Sequence, residues 1–409
     1  MKRLCLLLGL LCPLSYAGNV EVLHWWTSDS ETKALNLIKQ SLVDQGHQWR
    51  DFAVTGGGGD SAMTVLRTRA VSGNPPASAQ IKGPEIQEWA SLRFLLPLDD
   101  LAKEQHWSTL YSPTVLDYLR YQDSFVAVPF NIHRVNMLWL NKAIFDELKL
   151  TPPTTWAEFI NTAKIIEAAG YIGFAHGLQP WQDTLLFESV AISVLGPDLY
   201  RAIFVQHDPS SFQSAKLVAV FEQFRALRNL VDAQAIDRNW DQNTQLLIAK
   251  KAAMQVMGNW VKGELSLQQQ RPNEDYYCVP APGTQDTFAY NIDTFVFFKK
   301  HQQPDNQQAQ TDLAKSISGK ELQVKFNQIK GSIPARQDIN PALFDACSQQ
   351  DIKDFSQLTL LPSLAQGMAN TGLTQNAIVD VVSHFFNNPK ITPEKAAQQL
   401  MVAIVATQS

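Results

Sequence analysis

The chain has 409 residues and a formal charge of −5 from 34 basic and 39 acidic side chains, a mild acidity that argues against a nucleic-acid partner. The length exceeds what one hydrophobic core usually serves, so two or three domains are expected. No run approaches the ~18 consecutive apolar residues of a membrane span.

Lys2 and Arg3 precede the apolar run Leu4–Leu14, and Ser15–Ala17 offers small residues at a cleavage point. This is the pattern of a secretory signal peptide over residues 1–17. Leu11 precedes Cys12 where a lipoprotein signal wants a small residue, so a lipid anchor is not expected. Cleavage would remove Cys5 and Cys12 and leave Cys278 and Cys347. An even pair in an oxidising compartment predicts one disulfide between them.

In chain order, short strand-like runs alternate with longer helical ones, as in α/β proteins. NVEVLHW (19–25) reads as the first strand. Neighbours on a strand face opposite ways, so Trp25 and Trp26 share a surface only if the strand ends near His24. Ser28 and Glu31 match a capping box, and Ala34, Leu35, Ile38, Leu42 and Val43 recur at helical spacing until Gly46. WRDFAV (49–54) is a second strand. GGGGD (56–60) follows it, then a helix with Met63, Leu66, Ala70 and Val71 on one face. Ala77–Ile81 reads as a third strand and PEIQEWASLRFLLPL (84–98) as a third helix. Together these form a doubly wound lobe, and such sheets bind ligands beyond their strand ends.

Two strand-like runs flank Pro129 in SFVAVPFNIHRVNMLWLN (124–141), where the chain can cross to a second lobe. That lobe reads as helix-rich. Thr155 caps a helix carrying Phe159, Ala163, Ile166 and Ala169, and helical spacing continues through KLVAVFEQFRALRNLVD (216–232) to about Met254. YYCVPAPGT (276–284) reads as a return crossing, DTFVFFKK (293–300) as a strand, and the C-terminal segment as helical.

Several chemistries lack their residues. GGGGD has neither the Lys-Ser/Thr of a phosphate loop nor the spacing of a dinucleotide fingerprint. A tight turn with Asp60 or Ser61 as N-cap accounts for it. The eight His show no HExxH or short paired spacing and only two Cys remain, so no metal or cofactor is expected. No GxSxG elbow offers a nucleophile.

VEVLHWWTS, GGGGDSAMTVLRTR, SGNPPASAQIKGPEIQEWA, VPFNIHRVNMLWLNK and KGSIPAR follow one another across the chain. In that order they resemble the glucose- and mannose-type extracellular solute-binding proteins of ABC importers. The resemblance implies an α/β, two-lobe periplasmic-binding-protein fold, type II-like, with interrupted lobes joined by crossing segments. One lobe would be 18–129 with 284–335, the other 130–283 with 336–409. It also implies a monomeric periplasmic receptor that holds a monosaccharide, glucose or a related hexose, between the lobes. An inner-membrane ABC permease would be its partner, and no bond would be made or broken.

A pyranose has apolar C–H faces and a rim of hydroxyls, so aromatic plates and charged or amide groups hold it. By the resemblance, Trp25 and Trp26 present rings from the first lobe, and Trp240 and Trp260 from the second. Glu31, Gln80, Lys82, Asp293 and Lys330 match sugar-contacting positions. Trp181 resembles an aromatic position that stacks on sugars in related maltose-binding proteins. Gln366 in LPSLAQGMA stands where glucose-binding relatives carry His. It keeps a donor and an acceptor but loses imidazole's titration, so the preferred epimer is less constrained than hexose binding itself.

The residues alone leave other readings open. Glu31 could simply complete its capping box, Trp26 and Trp240 could be core, and Asp293 a solvated turn residue. His133 reads as structural. Glu31 with Asp293 could form the carboxylate pair of a secreted glycoside hydrolase, and a sugar receptor serving chemotaxis would share every feature.

Overall fold

In the computed structural model, residues 18–299 and 304–408 are described; the signal-peptide segment 1–17 lies outside them. β1 (Asn19–His24), β2 (Gln48–Ala53) and β3 (Ser78–Ile81) run parallel with β1 in the middle. Helices Asp29–Val43 and Asp60–Val71 connect them, the βαβ arrangement that the alternating pattern predicts. β4 (Arg120–Tyr121) and β5 (Ser124–Phe125) form a small hairpin.

The remaining strands are β6 (Ala127–Arg134), β7 (Met137–Asn141), β8 (Ile172–Phe174), β9 (Ala252–Val256), β10 (Tyr276–Pro280), β11 (Thr287–Phe297), β12 (Ile333–Pro334) and β13 (Thr359–Pro362). One sheet has the order β12-β6-β11-β3-β1-β2, with β13 also paired to β11; the other has the order β10-β7-β9-β8. Each sheet has its own apolar cluster. Leu23, Phe130, Phe295 and Phe326 belong to the first, and Trp139, Phe159, Phe187 and Phe385 to the second.

The passages between sheets differ from the sequence reading. Pro129 lies inside β6, where the pairing with β11 slips between Asp293 and Thr294. Such a bulge tolerates a residue without an N–H. The chain changes sheet five residues further on, because only Val135 and Asn136 separate β6 from β7. Asn136 ties both passages together: its Nδ2 donates to Thr284 Oγ1 at 2.9 Å, its Oδ1 accepts from the Ala289 amide at 2.9 Å, and its carbonyl accepts from the Ala281 amide at 3.0 Å. Tyr276–Pro280 is a strand of the second sheet paired with β7, so the return is confined to residues 281–286. β11 then begins at Thr287, well before Asp293, and all its residues are buried.

The third expected helix stops early, at Glu85–Ser91. Beyond it Arg93 has φ 61°, and the Leu96 amide donates to the Phe297 carbonyl, drawing the apolar tail to the end of β11. Cys278 in β10 is bridged to Cys347 in helix Ala346–Gln357, as expected, with Cα atoms 6.2 Å apart. Helix Gly372–Asn387 packs against helix Pro180–Phe204, and helix Pro393–Ala406 packs against Gly372–Asn387 and Ala215–Arg228 to complete the second half. Among the described residues no helix is long and apolar enough to cross a membrane.

Candidate functional site

A cavity of about 260 Å³ opens at the end of β1, between the two halves. β1 stops at His24, so both following indoles leave the strand and line the cavity. Trp26 is also anchored from behind, edge-on to Phe295 at 5.6 Å and 5.1 Å from Phe326. The alternatives of core and cleft both hold for this ring. Trp25 lies across the glycine loop: a Cβ on Gly59, itself at φ 98°, would stand 3.1 Å from the indole. The loop is therefore glycine where a ring covers it, and Gly59 takes the N-cap position, without a side-chain cap from Asp60 or Ser61.

Three helix starts build the opposite wall. Trp181 lies in the first turn of helix Pro180–Phe204, Trp240 opens helix Trp240–Ile248, and Trp260 precedes helix Val261–Leu267. Trp260 stands 6.4 Å, centroid to centroid, from each of the other two. Five indoles thus face the cavity from two sides.

Ionic groups close the rim. Glu31 Oε2 accepts from the Thr27 and Ser28 amides at 3.0 and 3.1 Å, completing the capping box, while its Oε1 meets Lys330 Nζ at 3.0 Å. One carboxylate thereby orders the helix start and faces the cleft. Asp293, on β11, lies 3.4 Å from His133 Nε2 and accepts from Asn291 Nδ2 at 3.2 Å. Burial pushes its carboxyl up, but His133 and the charges of Lys82 and Lys330 outweigh this and hold it below the usual carboxylate range. Burial and the Lys330 charge lower the pKa of His133, whose Nδ1 lies 2.6 Å from Asn259 Oδ1. The imidazole is a wedge of the wall, held on both nitrogens. Asn291 also borders the cavity, and its buried Oδ1 has no protein partner.

Lys82 stands behind Trp25, its Nζ 5.1 Å from that ring, and borders a smaller adjoining cavity instead of the main one. It donates to Gln366 Oε1 at 2.8 Å. An ammonium can only donate, so this contact fixes the amide: Gln366 keeps Oε1 on Lys82, its buried Nε2 has no protein partner, and the residue borders both cavities. Gln80 reaches neither cavity. It is buried under the site, with its Oε1 3.4 Å from the Trp25 amide that donates to it.

Thr27, Gln179, Asn239, Asp241 and Asn291 also line the cavity, and the sequence reading named none of them. Their signal was proximity, since Asn239 and Asp241 flank Trp240, and Gln179 precedes Trp181 by two. Among the described residues no group of three or more His, Cys, Asp or Glu could hold a metal ion.

Two α/β lobes with an indole-walled, polar-rimmed cavity between them define a two-lobed ligand receptor of the periplasmic-binding-protein type. Residues 51–316 match the bacterial extracellular solute-binding protein family. A relative from Brucella melitensis, named "Probable sugar-binding periplasmic protein", is 39% identical over 99% of this chain and 97% of its own. One of the same name from Rhizobium meliloti is 38% identical over 96% and 95%. Among solved structures, a chitin oligosaccharide binding protein superposes with TM-score 0.81 at 16% identity, covering 96% of this chain and all of the other. The receptor AcbH, described as preferring β-D-galactopyranose, gives 0.79 at 16% over 96% and 98%. The chain belongs to the bacterial extracellular solute-binding protein family, and its place, like that of these relatives, is the periplasm.

Proposed function

We propose that this protein captures a monosaccharide, glucose or a related hexose, in the cleft and delivers it as a monomer to an inner-membrane ABC permease. The observation that carries this reading is the cavity, whose five indoles are joined by Glu31, Asp293, Lys330, Asn291 and Gln366. Indoles suit the C–H faces of a pyranose. Asp293 and Asn291 Oδ1 can accept from its hydroxyls, and Lys330 and Gln366 Nε2 can donate to them.

Five indoles with a few convergent polar groups suit the faces and rim of one ring. Solved structures in this fold include a receptor described as preferring β-D-galactopyranose and a maltose-bound protein of T. maritima, so the ligand panel below sets one ring against two. Contacts available only when both lobes meet would shift the open–closed population toward the form the permease reads.

The test is a calorimetric and thermal-shift panel of glucose, galactose, mannose, pentoses and maltose, since a ligand held only by the folded state raises the melting temperature. Binding by a hexose with micromolar or better affinity is expected. No hexose binding, or maltose binding ahead of every hexose, overturns the reading. A glycoside hydrolase is disfavoured, because Glu31 is committed to two amides and Lys330, and Asp293 is held ionised. Sustained release from aryl glycosides would restore it.

A further inference from the structure

Glu188 lies in the middle of helix Pro180–Phe204, fully buried and away from the cavity wall. Its donors come from one short loop and one tyrosine. Oε2 accepts from Ser363 Oγ at 2.8 Å and the Ala365 amide at 3.0 Å; Oε1 accepts from the Leu364 amide at 3.1 Å and lies 3.2 Å from the Tyr200 hydroxyl. A buried carboxylate is strongly disfavoured unless such donors converge on it. Here they converge because a loop is folded around the acid, and they offset burial only in part, since burial still pushes the carboxyl up to about 7.

The next residue of that loop is Gln366. Its amide donates to Ser363 Oγ at 3.1 Å, so its backbone is tied to Glu188 through one intervening hydroxyl. Gln375 Nε2 adds a bond to the Ala365 carbonyl at 3.2 Å. On the far side the loop presses against the end of β3, where a Cβ on Gly83 would fall 2.0 Å from the Gly367 carbonyl oxygen. Little slack remains between these two supports, and Gln366 meets Lys82 there.

We propose that Glu188 is a positioning residue for the ligand site. Its carboxylate shapes the Ser363–Ala365 loop so that Gln366 arrives with Oε1 on Lys82 and Nε2 free to donate to an oxygen of the bound sugar. This rests on the sugar-receptor reading and deepens it, because it assigns the donor at this corner of the cleft to a group outside the cleft.

Glu188→Gln keeps the shape but replaces one acceptor oxygen by a donor, which cannot serve the loop. Glucose affinity should fall roughly tenfold, the equivalent of one charge-assisted hydrogen bond. In the ligand-free protein, the Leu364 and Ala365 amides should exchange with solvent roughly tenfold faster or more. In a Gln366→Ala background the same substitution should change affinity by less than about twofold, since the group it positions is gone. An undiminished loss in that background, unchanged affinity in the single variant, or unchanged exchange overturns the proposal. Should Glu188→Gln fail to fold, Ser363→Ala removes one loop donor and is read by the same measurements. The exchange arm uses no sugar: a wild type that binds no hexose sinks the receptor reading, while exchange still judges the loop.

Discussion

Gly263 offers a direct handle on closure. Helix Val261–Leu267 meets the start of helix Asp29–Val43 and the end of helix Lys320–Lys330, and the Ser30 amide donates to Glu264 Oε1 across the same seam at 3.0 Å. A Cβ added to Gly263 would stand 2.7 Å from Ser30 Oγ and 2.9 Å from the carbonyl oxygens of Ile329 and Lys330. The hydroxyl can rotate away, but the two carbonyls are backbone, so relief requires the halves to part. Overpacking of this kind costs about 1–3 kcal/mol. If the seam belongs to the closed form, that cost lowers the fraction competent to hold ligand and weakens apparent affinity by about 5- to 150-fold. Calorimetry with glucose, alongside melting of the ligand-free protein, measures both quantities. Gly263→Ala should weaken binding while leaving ligand-free melting nearly unchanged. Lower melting with unaltered affinity would refute the reasoning, because it would place the strain in the fold and not in closure.

Three further outcomes follow from particular contacts. The Cys278–Cys347 bridge spans 69 residues of sequence, and Cys347→Ser should lower unfolding free energy by about 4 kcal/mol, read as an earlier urea midpoint; an unmoved midpoint contradicts this. Gln366→Ala should weaken glucose binding roughly tenfold by removing the donor opposite the Lys82 contact, and an unchanged calorimetric constant would take Gln366 out of the site. Burial pushes the Glu85 carboxyl from its ordinary 4.5 up to about 7 despite its Arg67 partner. Between those values the folded state holds a proton that the unfolded chain has lost. Stability should therefore be highest below about pH 4.5 in this group's contribution and fall as pH rises through 7, by on the order of 3 kcal/mol. Denaturation at pH 5 and pH 8 should show that fall in the wild type and a smaller one in Glu85→Gln.

Much of the local structure was legible in advance. The Ser28–Glu31 box and the Thr155 cap form where the spacing puts them, because a cap joins residues a few positions apart and needs no distant partner. β1 ends at His24, the condition under which the two adjacent indoles could share one surface. Other features were misread for a common reason. Tyr276–Pro280 looks like a connector, and β11 looks short because a strand buried on both faces shows no alternation. The glycine loop was recognised as a turn, but not as the seat of the Trp25 ring.

By itself the sequence determined what neighbours along the chain can settle: the caps, the opening strands and helices, the cysteine pair left to bridge, and the residue types suited to a sugar. Only the tertiary structure decided which of those residues meet. Lys82 and Gln366 lie 284 positions apart, and Glu188 is an ordinary mid-helix acid until a loop 175 residues later closes on it. Propensity and periodicity act over a few residues, whereas the polarity of a cleft depends on which groups have already spent their hydrogen bonds on one another.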